Sequence, residues 1–527
     1  MLEIRFGYVV AGSHPRLKEQ TSLLVQHAVV LHTHGNIEKF FEIENLGVSC
    51  QPKCGSCRCG ACHPGGKNMS LKEEEELKLI ENNIRFNEDT GRWIAHYPWI
   101  KDPYLLPENQ FMASATLRAT ERRLAQNPKH SELYSRQMED MLNRGAAREI
   151  SEEELSRYKG PKYYISHHAV LKPESKSTPC RIVFNSSAKY KGYALNDFFA
   201  KGPSLLNQLV GILLRFRQNR IGFIGDISKM FHSIDIPLVD QMTHLFLWRG
   251  MNTGIKPKTY AMTRVNMGDR PSSAIAQVAL RNTAIGALDE FPLESTLIQR
   301  NSYMDDIPAS LDTNKQAQSV MRNIGNLLEK KGFKIKEWIW SGSKTNDINN
   351  AATVDQRTVQ LMTNATEIVG NERVLGIQWN VKTDSLTYSF GANKLKHNIK
   401  NITKRQILSS TSSIYDPLGL ATPISVKAKI ILRKIWAVSP KLGWDDLVPE
   451  SISNEWNNFV EDLVAVESIT FKRSLTLEIK YKQPTLVILS DGSNQAYGAA
   501  AYCRWKIENG KYESHLIAAK ARIAPSK

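Results

Sequence analysis

Two distant stretches of this chain each deliver acid at the end of an apolar, β-type run. A fold that uses both must bring their ends to one place. Tyr303-Met304-Asp305-Asp306 sets two adjacent carboxylates in a short turn, with Asn301-Ser302 before it and Ile307-Pro308-Ala309 after. Asp226 ends the mostly apolar run Ile221-Gly222-Phe223-Ile224-Gly225. A lone Asp-Asp pair is usually a solvated turn, and the setting is what separates this one. Adjacent like charges resist sharing a buried site unless a cation neutralises them. Three acids at strand ends suit a pair of Mg²⁺ ions, which take oxygen ligands in octahedral geometry from a few carboxylates and substrate phosphates. Two such ions can activate a sugar hydroxyl and stabilise a leaving pyrophosphate.

The 527 residues exceed one ordinary core, so roughly three or four domains are expected. Hydrophobic residues make up 41% and charged residues 23%, a globular balance. Lys and Arg number 69 against 53 Asp and Glu, a net charge of +16. That excess points to a polyanionic partner, nucleic acid first, although a basic ribosome-like protein would share it. No run reaches the roughly 20 apolar residues that span a bilayer, and Met1 to Arg16 lacks a secretory h-region. The expectation is an intracellular protein without a membrane partner. Five of the seven cysteines crowd between Cys50 and Cys62, spacing that suits metal better than disulfides.

Along the chain there is no internal repeat. Gly7-Tyr8-Val9-Val10-Ala11-Gly12 reads as a strand entering a turn, and Ser70 to Asn83 as an acidic helix. Ile84 to Ala95 reads as a hairpin turning at Thr90-Gly91. Residues 113–158 read as helices with apolar faces at Leu117, Leu124, Met138, Met141 and Leu142. A strand-rich part covers 160–190. Then come a helix over 203–218, a strand over 221–227, a helix over 272–288, strands flanking Asp305, a helix over 314–331 and a strand from Lys334 to Trp340. This alternation predicts helices packed on a sheet. Residues 373–390 read as strands, 400–466 as helical, and the last segment, from Thr485, as β.

Tyr303-Met304-Asp305-Asp306, with Asp226-x-x-x-x-Phe231 upstream, resembles the palm of reverse transcriptases. Longer stretches are similar to the reverse transcriptase of BEL/Pao retrotransposons: Cys180 to Ala188, Gly192 to Asp197, Gly202 to Leu206, Met267 to Ser272, Gly332 to Trp338 and Val374 to Trp379. The resemblance runs over nearly the whole chain in the family's motif order. It implies that Asp226 and Asp305 bridge two Mg²⁺ (or Mn²⁺) ions, with Asp306 more peripheral. Phe231 would pack under the sugar of the incoming nucleotide and reject a 2′-hydroxyl; core packing is its plainer role. Lys172 and Arg181 would grip the triphosphate, where positive charge assists phosphoryl transfer. Lys336 would protonate pyrophosphate; otherwise it is a solvated strand residue. Gly268 would allow close approach to the base pair. Many retroviral enzymes carry Gln one residue earlier, where this chain has Met267.

Cys54-x-x-Cys57 and Cys59-x-x-Cys62 stand one residue apart, beside Cys50 and His63. Four thiolates so paired can form a tetrahedral Zn²⁺ site, a small knuckle or a two-metal cluster; a redox-labile loop without metal is the other reading. Asp89-Thr90-Gly91 spells an aspartic-protease triplet, but it follows Asn87-Glu88 rather than an apolar strand, so it reads as a hairpin turn. Arg5 to Gly12 resembles the last strand of such a protease. Leu489-Ser490-Asp491-Gly492-Ser493 and Ala496 to Ala500 resemble the first strands of a ribonuclease H fold, with Asp491 as its first carboxylate. The other acids of that nuclease are not found before Lys527, so protease and ribonuclease H activity are not expected from this chain alone.

The resemblance implies an α+β right-hand polymerase of fingers, palm and thumb, with a Cys-rich N-terminal segment and a truncated ribonuclease H-like β segment. The expected divisions are 1–45 (protease-like remnant), 46–110 (Cys-rich knot and hairpin) and 111–200 (helical lead-in and fingers). They continue with 201–345 (palm), 346–395 (motif hairpins), 396–475 (helical thumb or connection) and 476–527 (ribonuclease H-like). The expected function is RNA-directed DNA polymerisation of a retrotransposon polyprotein fragment on an RNA or DNA template-primer with dNTPs. Protease, ribonuclease H and integrase products of the polyprotein would be companions, in a cytoplasmic virus-like particle or the nucleus. The competing expectation is an inactive relic that only binds nucleic acid. Arg215, Arg217, Arg220, Lys229, Lys394, Lys396 and Lys400 are candidate phosphate contacts.

Overall fold

The structure is a computed structural model. It describes residues 2–4, 7–9, 27–31, 69–171, 179–342, 372–388, 401–438, 440–477, 483–507 and 510–524, the first three stretches by backbone alone. Cys50, Cys54, Cys57, Cys59, Cys62, His63, Lys172, Lys394, Lys396 and Lys400 lie outside the described residues.

The chain opens with β1 (Leu2–Ile4), β2 (Gly7–Val9) and β3 (His27–Leu31). Helix α1 (Leu71–Asn82) starts at a capping box: Glu73 N donates to Ser70 Oγ at 3.2 Å and Ser70 N donates to Glu73 Oε2 at 2.9 Å. The expected hairpin is β4 (Ile84–Asn87) and β5 (Arg92–Ala95). Its turn takes Gly91 at φ +63°, and Asn87 Oδ1 accepts from Asp89 N at 2.9 Å, so Asp89-Thr90-Gly91 is a hairpin turn with Asp89 and Thr90 exposed. Helices α2 (Gln110–Ala125) and α3 (Pro128–Asn143) precede β6 (Ala147–Ile150), α4 (Glu152–Arg157) and the hairpin of β7 (Ser166–Leu171) and β8 (Cys180–Asn185).

The middle of the chain alternates as expected. It runs through α5 (Leu209–Gln218), β9 (Ile221–Ile227), β10 (Ile234–Asp235), α6 (Leu238–Gln241), β11 (Leu245–Trp248) and β12 (Lys258–Met262). It continues with α7 (Ser272–Ile285), α8 (Pro292–Asn301), β13 (Asp306–Leu311), α9 (Asn314–Glu329) and β14 (Ile335–Trp340). Strand β9 is the centre of an antiparallel sheet ordered β13-β9-β14. Both its faces are covered. Phe223 and Ile227 enter one core with Ile307, Ala309 and Trp338, while Ile224 enters a second with Leu213, Leu214, Phe216 and Trp379. Helix α9 seals the first side with Ala317, Val320, Met321, Ile324, Leu327 and Leu328, the stripe that a 3.6-residue period produces.

The second core continues into β15 (Glu372–Val374), β16 (Ile377–Asn380) and β17 (Ser385–Thr387), then α10 (Lys404–Ser412), α11 (Thr422–Trp436) and α12 (Glu450–Glu467). Strand β18 (Phe471–Lys472) returns to pair with β17. The antiparallel β19 (Thr485–Gly492), β20 (Ala496–Lys506) and β21 (Tyr512–Ile523) follow, with β3 against the free edge of β19. Two buried arginines stitch these parts to the central sheet. Arg473 donates to both Asp384 oxygens at 2.6 and 2.8 Å and to the carbonyls of Phe216 and Asn219 at 2.6 and 2.9 Å, closing the end of α5. Arg217 donates to the Ile517 and Leu516 carbonyls of β21 at 2.6 and 2.8 Å. Arg217 is therefore a structural tie and not the phosphate contact expected of it, being only 2% exposed. The described architecture is mixed α/β, and no described helix is long and apolar enough to cross a membrane.

Candidate active site

The two acidic stretches meet. Strand β13 pairs with β9 so that Asp306 lies directly opposite Asp226. Ile227 N donates to the Asp305 carbonyl at 2.8 Å, so the flanking residues carry the ladder bond and Asp226 and Asp306 form a non-hydrogen-bonded pair. In such pairs the side chains share one face and stand closest. Asp305 occupies the turn beside them, exposed.

That turn is tighter than the two-strand hairpin expected around it. Helix α8 runs to Asn301, and only Tyr303 bridges to Asp306: Tyr303 N donates to the Asp306 carbonyl at 2.9 Å and Asp306 N to that of Tyr303 at 3.1 Å. Met304 takes φ +55°, uncommon for a residue with a side chain. Helix α7 holds it from behind: Gln277 Nε2 donates to the Met304 carbonyl at 3.4 Å and Ser273 Oγ lies 3.7 Å from its sulfur. Asn207 Nδ2 ties in the approach by donating to the Ser302 carbonyl at 2.9 Å. These supports were not legible beforehand, because Ser273 and Gln277 read as ordinary helix residues.

Like charges directly opposite across a sheet are unfavourable. Burial raises Asp306, and Asp305 and Asp226 raise it further, to about 7. Asp226 is raised for the same reasons, burial first and then Asp305, with Lys336 pulling the other way. Lys336 owes its place to a β-bulge, since register shifts between Ile335 and Trp338. Bulges re-aim side chains, and here Lys336 Nζ stands 4.0 Å from Asp226 Oδ2 and 3.1 Å from Glu337 Oε1. The Glu337 bond, then Glu337's charge and Asp226's, outweigh desolvation and hold its ammonium above the usual lysine range. Gly225 permits β14 to approach: a Cβ there would lie 2.6 Å from the Trp338 ring.

The three carboxylates stand apart rather than closed. Among the described residues no three His, Cys, Asp or Glu side chains are drawn to metal-ligand geometry. The donor chemistry nevertheless suits a hard dication. The donors are carboxylate oxygens at the ends of paired strands, and two of the three are raised by burial and mutual repulsion, a penalty that positive charge would relieve.

The remaining candidates fall into two groups. Phe231, in the short turn after β9, is half-buried against the first core. Arg181 is exposed on β8. Gly268 has an immediate reason to be glycine, since a Cβ would run into the Phe184 carbonyl oxygen of β8. Met267 beside it is 66% exposed. Lys229 lies 3.2 Å from Asp140 and Arg215 bonds Asn301 at 2.6 Å, so both candidate phosphate contacts have protein partners. Asp491, near the end of β19, is exposed, opposite Gly498 of β20.

Residues 403–527 match the family described as the Pao retrotransposon-like RNaseH-like domain. The match takes in α10–α12 as well as the terminal strands. No curated protein sequence matches the chain. Among solved structures, a foamy viral protease-reverse transcriptase dRH in complex with double-stranded DNA aligns at 15% identity and TM-score 0.46, over 73% of this chain and 54% of that one. A foamy viral protease-reverse transcriptase with an RNA/DNA hybrid aligns at 13% identity and TM-score 0.46, over 88% of this chain and 54% of that one. The chain thus spans about half the length of these structures.

Proposed function

We propose that this chain, whose residues 403–527 match the Pao retrotransposon-like RNaseH-like family, is the reverse transcriptase region of a BEL/Pao-type retrotransposon polyprotein. Its reaction would be nucleotidyl transfer: a primer 3′-hydroxyl attacks the α-phosphate of a dNTP and pyrophosphate leaves. The observation that carries this reading is the strand register that sets Asp226 opposite Asp306 with Asp305 in the adjoining turn.

Asp226 and Asp305 would hold two Mg²⁺ or Mn²⁺ ions, with Asp306 at the edge of the set. Bound there, the metals supply Lewis-acid activation of the hydroxyl and neutralise charge on the leaving pyrophosphate. The chain's own residues position the substrates. Arg181, with Lys172, would neutralise the triphosphate. Phe231 would pack under the nucleotide sugar. Lys336, held protonated by Glu337 and Asp226, would donate a proton to pyrophosphate. The basic excess would grip the template-primer through its phosphates, with marked salt dependence.

Primer extension on poly-rA/oligo-dT with Mg²⁺ or Mn²⁺ tests the reading. The native chain is expected to extend, and Asp305→Asn to lose about a hundredfold or more. Equal background from both would favour a nucleic-acid-binding relic. A structural zinc site at Cys54, Cys57, Cys59 and Cys62 remains part of the proposal. Its test is metal content before and after Cys57→Ser and Cys62→Ser.

A further inference from the structure

The loop Asn266–Pro271 leads into α7, the helix that holds Met304 through Ser273 and Gln277. It is built around a carboxylate, Asp269, that is only 5% exposed. Three donors meet its two oxygens, and the His244 ring stands beside them at ion-pair distance. Oδ1 accepts from Ser186 Oγ and, at 3.2 Å, from Asn266 Nδ2. Oδ2 accepts from Tyr97 Oη and lies 3.2 Å from His244 Nε2. These partners come from three other parts of the chain: the segment after β5, the end of β8 and the start of β11.

His244 is fully buried, stacked on Tyr97 with ring centroids 4.5 Å apart. Its Nδ1 lies 2.7 Å from the Asp240 carbonyl oxygen. A carbonyl can only accept, so Nδ1 carries a proton. Nε2 makes no hydrogen bond but stands at ion-pair distance from Asp269, where a second proton places the imidazolium charge against the carboxylate. Burial opposes charge on either group, but the partners outweigh it, raising His244 and lowering Asp269. The Asp240 carboxylate faces the same region and is itself met by Trp99 Nε1 at 2.8 Å and Tyr97 N at 3.1 Å. A buried ion pair adds little net stability, and its best-attested use is to fix a unique arrangement.

We propose that Asp269, ionised and paired with the His244 imidazolium, is a positioning residue for the acidic turn. It fixes the loop 266–271 and so the start of α7, which holds Met304 in its left-handed conformation. The inference deepens the polymerase reading and rests on it for its kinetic consequence, while its structural consequence is read without catalysis.

Hydrogen exchange on the full chain is the test. In Asp269→Asn, exchange of peptides covering 302–307 is expected to rise about tenfold, with β19–β21 unchanged. In extension assays kcat is expected to fall about tenfold or more while KM for template-primer stays within about twofold. If Asp269→Asn does not fold, Ser186→Ala, which removes a single donor from the opposite oxygen, is expected to move 302–307 exchange about threefold in the same direction. Faster exchange confined to 266–271, with 302–307 as in the native chain, would overturn the proposal. A native chain that extends no primer, with 302–307 loosened in the variant, would leave the positioning role standing and remove the polymerase reading instead.

Discussion

Divalent-ion affinity should climb between pH 6 and pH 8, with Asp306 setting the slope. Its carboxyl titrates near 7 because burial, Asp305 and Asp226 all disfavour its charge. A dication binds the ionised form, so protons compete for the site. A carboxyl with that value is about one-tenth ionised at pH 6 and about nine-tenths at pH 8. Apparent affinity through this group therefore rises about tenfold, or about 1.4 kcal/mol. The sign for the metal-free chain is opposite. A carboxyl raised above its unfolded value of about 3.9 contributes stability that is fully present below that value and lost as pH rises through about 7. Mg²⁺ should restore more stability at pH 8 than at pH 6. Calorimetric titration with Mg²⁺ and Mn²⁺ at pH 6, 7 and 8 measures the affinities, and thermal melting with and without metal checks the stabilities. In Asp306→Asn the slope should flatten to about twofold or less. An equal slope in that variant, or none in the native chain, would refute the electrostatic reasoning.

Lys336→Met keeps the stem and removes the charge beside Asp226; kcat for extension should fall about tenfold to a hundredfold, with KM for dNTP nearly unchanged. Gly268→Ala forces a Cβ against the Phe184 carbonyl, which is backbone and yields poorly, so a loss of about 1–3 kcal/mol is expected by urea unfolding. Arg473→Ala removes both guanidinium bonds to the half-buried Asp384, which keeps only the Trp379 Nε1 bond to a side-chain oxygen, and frees the carbonyls that end α5. It should cost about 3–5 kcal/mol, seen as a lower melting temperature, and a cost under about 1 kcal/mol would show that the tie is not needed.

The acidic site was readable in sequence because its signals are local. An apolar run ending in Asp226 and a turn at Asp305 act within a few positions, and β9 and β13 set Asp226 opposite Asp306. The acidic helix and the Thr90-Gly91 hairpin were readable for the same reason: a cap and a turn residue act within a few positions. What failed depends on distant partners. Arg217 looked like a surface cation because the β21 carbonyls that bury it come 299 and 300 residues later. The strand expected before Asp305 is displaced by α8, which continues until Ser302 N donates to the Ile298 carbonyl. Asp269 sits in a Gly-Asp-Arg-Pro stretch whose residue types carry no sign of burial, and Tyr97, Ser186 and His244 make it a core residue.

The central claim is that Asp226, Asp305 and Asp306 jointly bind divalent ions where a primer ends. Anomalous diffraction from a Mn²⁺ complex with template-primer and a non-hydrolysable dNTP tests it most directly. The account predicts a pair of peaks shared by Asp226 and Asp305. Ordered primer and nucleotide without manganese density at these aspartates would contradict it.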